Sequence, residues 1–170
     1  VNRNTHRANR RLIDKNVEHG GTFRLGRSRN EFVIDKRVRS NSYDSLQLPT
    51  GIAQFHSHPR KCTRDRCALG IPSARDVCSF ILAANETLLL AHFIYTKEGT
   101  YILSLSRRMK TGYWTRNRRR DLFNRLNKKF NSIKYLPYTQ LCRRWKPYVR
   151  SQGVKIRLFA RNAIPSLRLC

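Results

Sequence analysis

His56 and His58 stand two residues apart in the run Phe55-His56-Ser57-His58-Pro59. The run follows an apolar lead-in, Gly51-Ile52-Ala53, and so reads as the exit of a short strand over residues 51 to 56. Side chains at i and i+2 of a strand share a face. The two imidazoles would then sit side by side, with Ser57 turned the other way. Two neutral imidazoles and one carboxylate make a three-ligand zinc site with a fourth position open for water. Asp76 can be the carboxylate. It follows Pro72 and Ser73, and Ser73 reads as the N-cap of a helix over residues 73 to 84. First-turn side chains of that helix would point back toward the strand end. A His-x-His pair alone is a weak signal, since most such pairs are ordinary surface or core histidines. Pro59, Ser73 and Asp76, following in order, strengthen it.

The series His56-Ser57-His58-Pro59, then Pro72-Ser73-Ala74-Arg75-Asp76, resembles the JAMM (MPN+) zinc metallopeptidases. The resemblance implies that His56, His58 and Asp76 bind zinc and that Ser73 helps the oxyanion. It also implies an upstream glutamate that handles protons. Glu18 and Glu31 are the two glutamates before the histidines. The family places its glutamate at the start of a strand, in a pattern like Glu-x-x-Gly-x-hydrophobic-x-Gly. Glu18 is followed by Gly21, Phe23 and Gly26, the last glycine one residue late. Glu31 opens a second apolar alternation, Glu-Phe-Val-Ile-Asp, and is the second candidate for the base. The plain alternative for either is a solvated carboxylate. On this resemblance the chain would be a zinc-dependent hydrolase acting on a protein or isopeptide-linked substrate.

The elements that must hold these residues are legible as an α/β chain. Residues 17 to 26 and 31 to 39 read as two strands joined by a Gly- and Asn-containing turn. The stretches 87 to 96 and 100 to 105 flank Lys97-Glu98-Gly99 and read as a hairpin. The resemblance covers about residues 12 to 105 and implies a JAMM/MPN-like mixed sheet flanked by helices. The expected division is a metallopeptidase-like domain over 1 to 106 and a basic helical and strand extension over 107 to 170, packed on it. Residues 1 to 11 read as an Arg-rich arm, or the start of a short helix ending near Lys15. Residues 60 to 72 form a basic loop, longer than the family pattern, that must sit beside the metal.

The C-terminal part carries its own pattern. Leu122, Phe123, Leu126, Phe130 and Ile133 fall on one helical face. Residues 140 to 146 read as a second short helix that stops before Pro147. Residues 154 to 159 alternate apolar and basic, as in a half-exposed strand.

The 170 residues carry 36 Lys+Arg against 10 Asp+Glu, a formal net charge of +26. Self-repulsion at that charge calls for a polyanion, and nucleic acid is the obvious one. Residues 107 to 170 hold 19 of the basic residues and a single acid, Asp121. Arg107, Arg108, Lys110, Arg116, Arg118, Arg119 and Arg120 surround Tyr113 and Trp114. Arg143, Arg144 and Lys146 flank Trp145. Such groups neutralise phosphates, and aromatic rings among them can stack unpaired bases. Each ring taken singly is more often a core residue. With no helix-turn-helix, RRM or zinc-finger signature, the expected binding is to the backbone and nonspecific.

No apolar run approaches the roughly 20 residues of a membrane span, and no signal peptide is visible, so no membrane partner is expected. Five cysteines, an odd number, point to reduced thiols in an intracellular setting. Cys62 and Cys67 are spaced for a local disulfide or for two free thiols. Two functional classes remain open. One is the zinc hydrolase bound to a nucleoprotein particle. The other is a non-catalytic, nucleic-acid-binding component of a virion or ribosome-like particle that retains the fold, with or without the metal.

Overall fold

The computed structural model describes residues 1–14, 17–27, 31–39, 48–58, 70–87, 89–106 and 115–165. Helix α1 (Arg3–Arg10) tightens into a 3-10 turn over Arg11–Asp14. Three strands follow: β1 (His19–Leu25), β2 (Phe32–Arg39) and β3 (Ala53–Ser57). Helix α2 (Ala74–Glu86) leads to β4 (Ala91–Tyr95) and β5 (Gly99–Leu105). Helices α3 (Arg116–Asn131) and α4 (Tyr138–Ser151) and strand β6 (Val154–Ala160) complete the chain.

The six strands form one mixed open sheet in the order β2-β1-β3-β4-β5-β6. Only β3 and β4 run parallel, with His56 opposite Ile94; the other neighbours are antiparallel. A parallel pair needs a crossover, and α2 supplies it. The carboxyl end of β3 therefore meets the amino end of α2, where ligands of open α/β sheets collect.

Alternation along the strands divides the core between the two faces. On one face α2, α3 and α4 cover Ile94, Tyr101, Leu103 and Val154. On the other, Ile13 packs with Phe23, Phe55, Phe93, Tyr95 and Ile102. Strand β6 pairs with β5, so the C-terminal segment completes the sheet that holds the histidines. Its alternation fits an edge strand: Val154 is buried, and Lys155 and Arg157 are exposed.

Several boundaries differ from the sequence reading. The stretch expected as a strand from residue 87 begins at Ala91, because Thr87 ends α2. Its amide and its hydroxyl both donate to the Ala83 carbonyl. Helix α3 starts at Arg116, ahead of the apolar face that begins at Leu122, because the Thr115 hydroxyl accepts from the Arg118 amide. Helix α4 does not stop before Pro147 but runs through it to Ser151. Leu141, Trp145 and Val149, all fully buried, hold it down on both sides of the proline. Pro147 and Arg143 are exposed, so water can satisfy the Arg143 carbonyl that loses its helical partner. Of the two readings of residues 1 to 11, the structure has the short helix, which ends with its 3-10 turn at Asp14 and is capped by the Asn2 side chain on the Thr5 amide.

Candidate metal centre

His56 and His58 leave β3 on the face that α2 covers, and Ser57 faces away, accepting from the His19 amide at 3.2 Å. Asp76 is the third residue of α2. The Ser73 hydroxyl accepts from the Asp76 amide at 3.2 Å, and the Ser73 amide donates to Asp76 Oδ2 at 2.7 Å. This reciprocal capping box satisfies two orphan helix donors and fixes the carboxylate. It turns Asp76 back over the strand end, as the first turn of a Ser-capped helix should.

Three side chains converge as a result. His56 Nε2 lies 2.9 Å from His58 Nε2 and 3.3 Å from Asp76 Oδ1; His58 Nε2 lies 3.6 Å from Asp76 Oδ2. Among the described residues this is the group of His, Cys, Asp and Glu able to hold a metal ion. A tetrahedron with bonds of about 2.0–2.1 Å has edges near 3.4 Å, so the spacing suits a small cation. His58 and Asp76 keep 12% and 14% side-chain exposure, so solvent reaches the group from one side.

Without a cation the cluster shares protons. Burial opposes a charge on His56, but the Asp76 carboxylate, and more weakly Glu18, outweigh it and raise its pKa. Burial and the charge on His56 push His58 down to about 4, against the pull of Asp76. Burial also raises Asp76, yet His56, His58 and the Ser73 amide hold it well below the usual carboxylate range. A proton on His56 Nε2 thus occupies the place where a cation would bind, and metal uptake must displace it.

Glu18 immediately precedes β1, half-buried. The β1–β3 register sets Gly20 opposite His56, and the His19 amide bonds Ser57. This brings Glu18 to the histidine end of the sheet, near enough to favour the charged form of His56. Gly21 has a physical reason to be glycine: a Cβ there would lie 1.9 Å from the Lys36 carbonyl oxygen, beside the β1–β2 irregularity. Glu31 sits at the other end of β1, its carbonyl accepting from Gly26. Seven strand residues, roughly 20 Å, separate it from the histidines.

Two partners of the site were missed at the sequence level. His92, on β4, places Nε2 at 2.6 Å from His56 Nδ1, and both rings are buried. Burial, with the charge on His56, pushes His92 down to about 3. Neutral His92 can accept the Nδ1 proton of His56 and so leave His56 Nε2 for a metal. Its signal in the sequence was a polar break in the apolar run from Leu88 to Ile94. The second is Trp145, whose indole N–H donates to the Pro72 carbonyl at 2.8 Å. This bond ties α4 to the residue before the Ser73 cap.

Trp145 is fully buried, so it packs the core and does not stack bases. Arg116, Arg118 and Arg120 are exposed on α3, while Arg119 pairs with Glu86 of α2. Arg143 and Arg144 are exposed on α4, and Lys146 is half-buried. The helices meet through Phe130–Trp145 and Arg125–Tyr148, in the C-terminal half of α3. The two basic groups thus occupy different stretches of the helical layer. Arg107, Arg108, Lys110, Tyr113, Trp114, Cys62, Cys67 and most of the 60–72 loop lie outside the described residues. Cys78 and Cys142 are free thiols, and no described helix is long and apolar enough to cross a membrane.

No protein-family model, curated protein or solved structure matches this chain.

Proposed function

We propose that the chain is a zinc-dependent hydrolase of peptide or isopeptide bonds, of the JAMM type, held on nucleic acid or a nucleoprotein particle by its basic half. The convergence of His56, His58 and Asp76 at the carboxyl end of β3, with Glu18 brought in just ahead of the neighbouring strand, carries this reading. His56, His58 and Asp76 would hold the ion. Zinc supplies a Lewis acid that polarises an amide carbonyl and lowers the pKa of water toward 7.

The chain's own groups do the rest. Glu18 takes up a proton and returns it to the leaving amine. The Ser73 hydroxyl accepts from the Asp76 amide, so its own proton remains available to a carbonyl oxygen as negative charge builds there. His92 fixes the ring of His56 from behind. The exposed arginines of α3 and α4 supply phosphate contacts. A reducing, intracellular setting, or the interior of a virion, fits the free thiols and the charge.

The test is cleavage of a peptide panel and an isopeptide-linked pair by the zinc-loaded chain, with Glu18→Gln beside it. Cleavage by the wild type, with a loss of about 10²–10⁴-fold and unchanged zinc content in the variant, is the expected result. Zinc binding without cleavage would leave the non-catalytic particle component in its place.

A further inference from the structure

A second charged site lies on the opposite face of the sheet and includes none of the metal-centre residues. Helix α1 and its 3-10 extension, together with residues after β6, line a half-open cavity of about 480 Å³. Arg3, Arg7, Arg10, Arg11 and Arg161 line it against a single carboxylate, Asp14. Arg3, Arg7, Arg10 and Arg11 recur at i, i+4, i+7 and i+8, a spacing that stacks like charges on one helical face. The first turn of α1 holds no acid, and Arg3 stands where the helix dipole disfavours a cation. Local preference is thus set against the observed structure, a conflict that concentrates at functional sites.

His6 supplies an independent sign. It lines the same cavity at 6% exposure, and neither ring nitrogen has a hydrogen-bond partner of normal geometry among the described residues. The Arg161 carbonyl lies close enough to favour the charged ring, but burial, helped by Arg10, wins and lowers its pKa. The Arg161 backbone can serve one ring nitrogen at most, so the other is left for a ligand, and a buried polar atom without a partner is costly. Arg10 is positioned from behind: one guanidinium nitrogen donates to the Thr96 carbonyl at 2.5 Å and the Gly99 carbonyl at 2.9 Å. That anchors the cavity wall to the β4–β5 turn.

We infer that this cavity binds a compact polyphosphate, a small molecule carrying two or more adjacent phosphate groups. Guanidinium forks match phosphate oxygens bidentately, and the volume is that of a small-molecule site. Guanidinium groups dominate the lining among the described residues, with no Phe, Tyr or Trp beside them. Five guanidinium groups against one carboxylate make phosphate the chemistry this lining favours. The inference is independent of the zinc reading.

Inorganic tripolyphosphate is the probe, titrated into the 170-residue chain by calorimetry at fixed ionic strength. Sulfate and a short single-stranded oligonucleotide serve as comparisons. Saturable one-to-one binding is expected, tighter than sulfate at matched ionic strength. Arg7→Gln/Arg161→Gln should weaken it at least about tenfold, from the loss of charge-assisted bonds. Both positions are exposed, so the variant should fold, and an unchanged unfolding midpoint checks this. Lys36→Gln/Arg37→Gln, at exposed positions of β2 outside the cavity, should leave tripolyphosphate affinity unchanged. Absence of saturable binding, affinity equal to sulfate, or equal weakening by both double variants would overturn the proposal. Loss of oligonucleotide binding in Arg7→Gln/Arg161→Gln, with the oligonucleotide displacing tripolyphosphate, would overturn the compact source and assign the cavity to a nucleic-acid backbone.

Discussion

His56 Nδ1 and His92 Nε2 lie 2.6 Å apart, a buried contact between neighbouring parallel strands. It leaves His56 one ring nitrogen, Nε2, directed at His58 and Asp76. Partners of this kind typically support metal affinity by about 10–100-fold. His92→Phe fills the space but cannot accept the Nδ1 proton. The expected outcome is a drop of that size in metal affinity, measured by competition with a chromophoric chelator. An unchanged affinity would show that His92 only fills the core.

The same histidines make the metal-free protein acid-sensitive. Folded His58 and His92 stay neutral to about 4 and about 3, held down chiefly by burial, whereas in the unfolded chain they protonate near 6.5. Below 6.5 the unfolded state therefore binds more protons, and stability falls with falling pH. The cost is on the order of 1.4 kcal/mol per pH unit for each histidine. His56, with its pKa raised, is protonated in both states over this window and adds no slope there; its own stabilising contribution fades only as pH rises through its folded pKa. Urea midpoints in chelator at pH 6.5, 5.5 and 4.5 should fall in that order. His92→Phe should reduce the slope by about half. Midpoints that stay flat or rise toward acid contradict the assignment.

Trp145 connects the basic half to the metal centre through one bond to Pro72. Trp145→Ala removes a fully buried ring and should cost about 3–5 kcal/mol. Trp145→Phe keeps most of the packing and leaves the Pro72 carbonyl without its donor, at about 1–3 kcal/mol. Thermal unfolding gives both figures. Metal affinity should fall in Trp145→Phe as well, because the bond holds the entry to α2. A variant that unfolds earlier yet binds metal as before would confine Trp145 to packing.

Much of the candidate site was legible because it rests on local periodicity. The i,i+2 imidazoles of β3 and the Ser73-x-x-Asp76 start of α2 are patterns of a few residues. The structure brings their side chains together as that spacing demands. His92 escaped notice because its role depends on the β3–β4 register, which joins residues 36 apart. Trp145 escaped for the same reason, 73 residues from Pro72. Helix ends were misplaced where a side chain or a partner decides them. Thr87 closes α2 inside an apolar run, and buried neighbours carry α4 through Pro147.

Nucleic-acid binding should be nonspecific and steeply salt-dependent. Arg143 and Arg144 are exposed on α4. If both contact phosphates, Arg143→Gln/Arg144→Gln should reduce the slope of log affinity against log salt by roughly 1–2. The reduction should be the same on two unrelated sequences. Strong preference for one sequence, or an unchanged slope, argues against backbone contacts at these positions.

Zinc stoichiometry tests the central claim most directly. The full chain, freed of metal and then titrated with zinc under reducing conditions, should bind one equivalent at His56, His58 and Asp76, with release of a proton as His56 gives up its Nε2 hydrogen. His58→Ala and Asp76→Asn should each lose that high-affinity equivalent, and Glu18→Gln should keep it. A wild type that takes up no zinc, or variants that bind it as tightly as the wild type, would contradict the account.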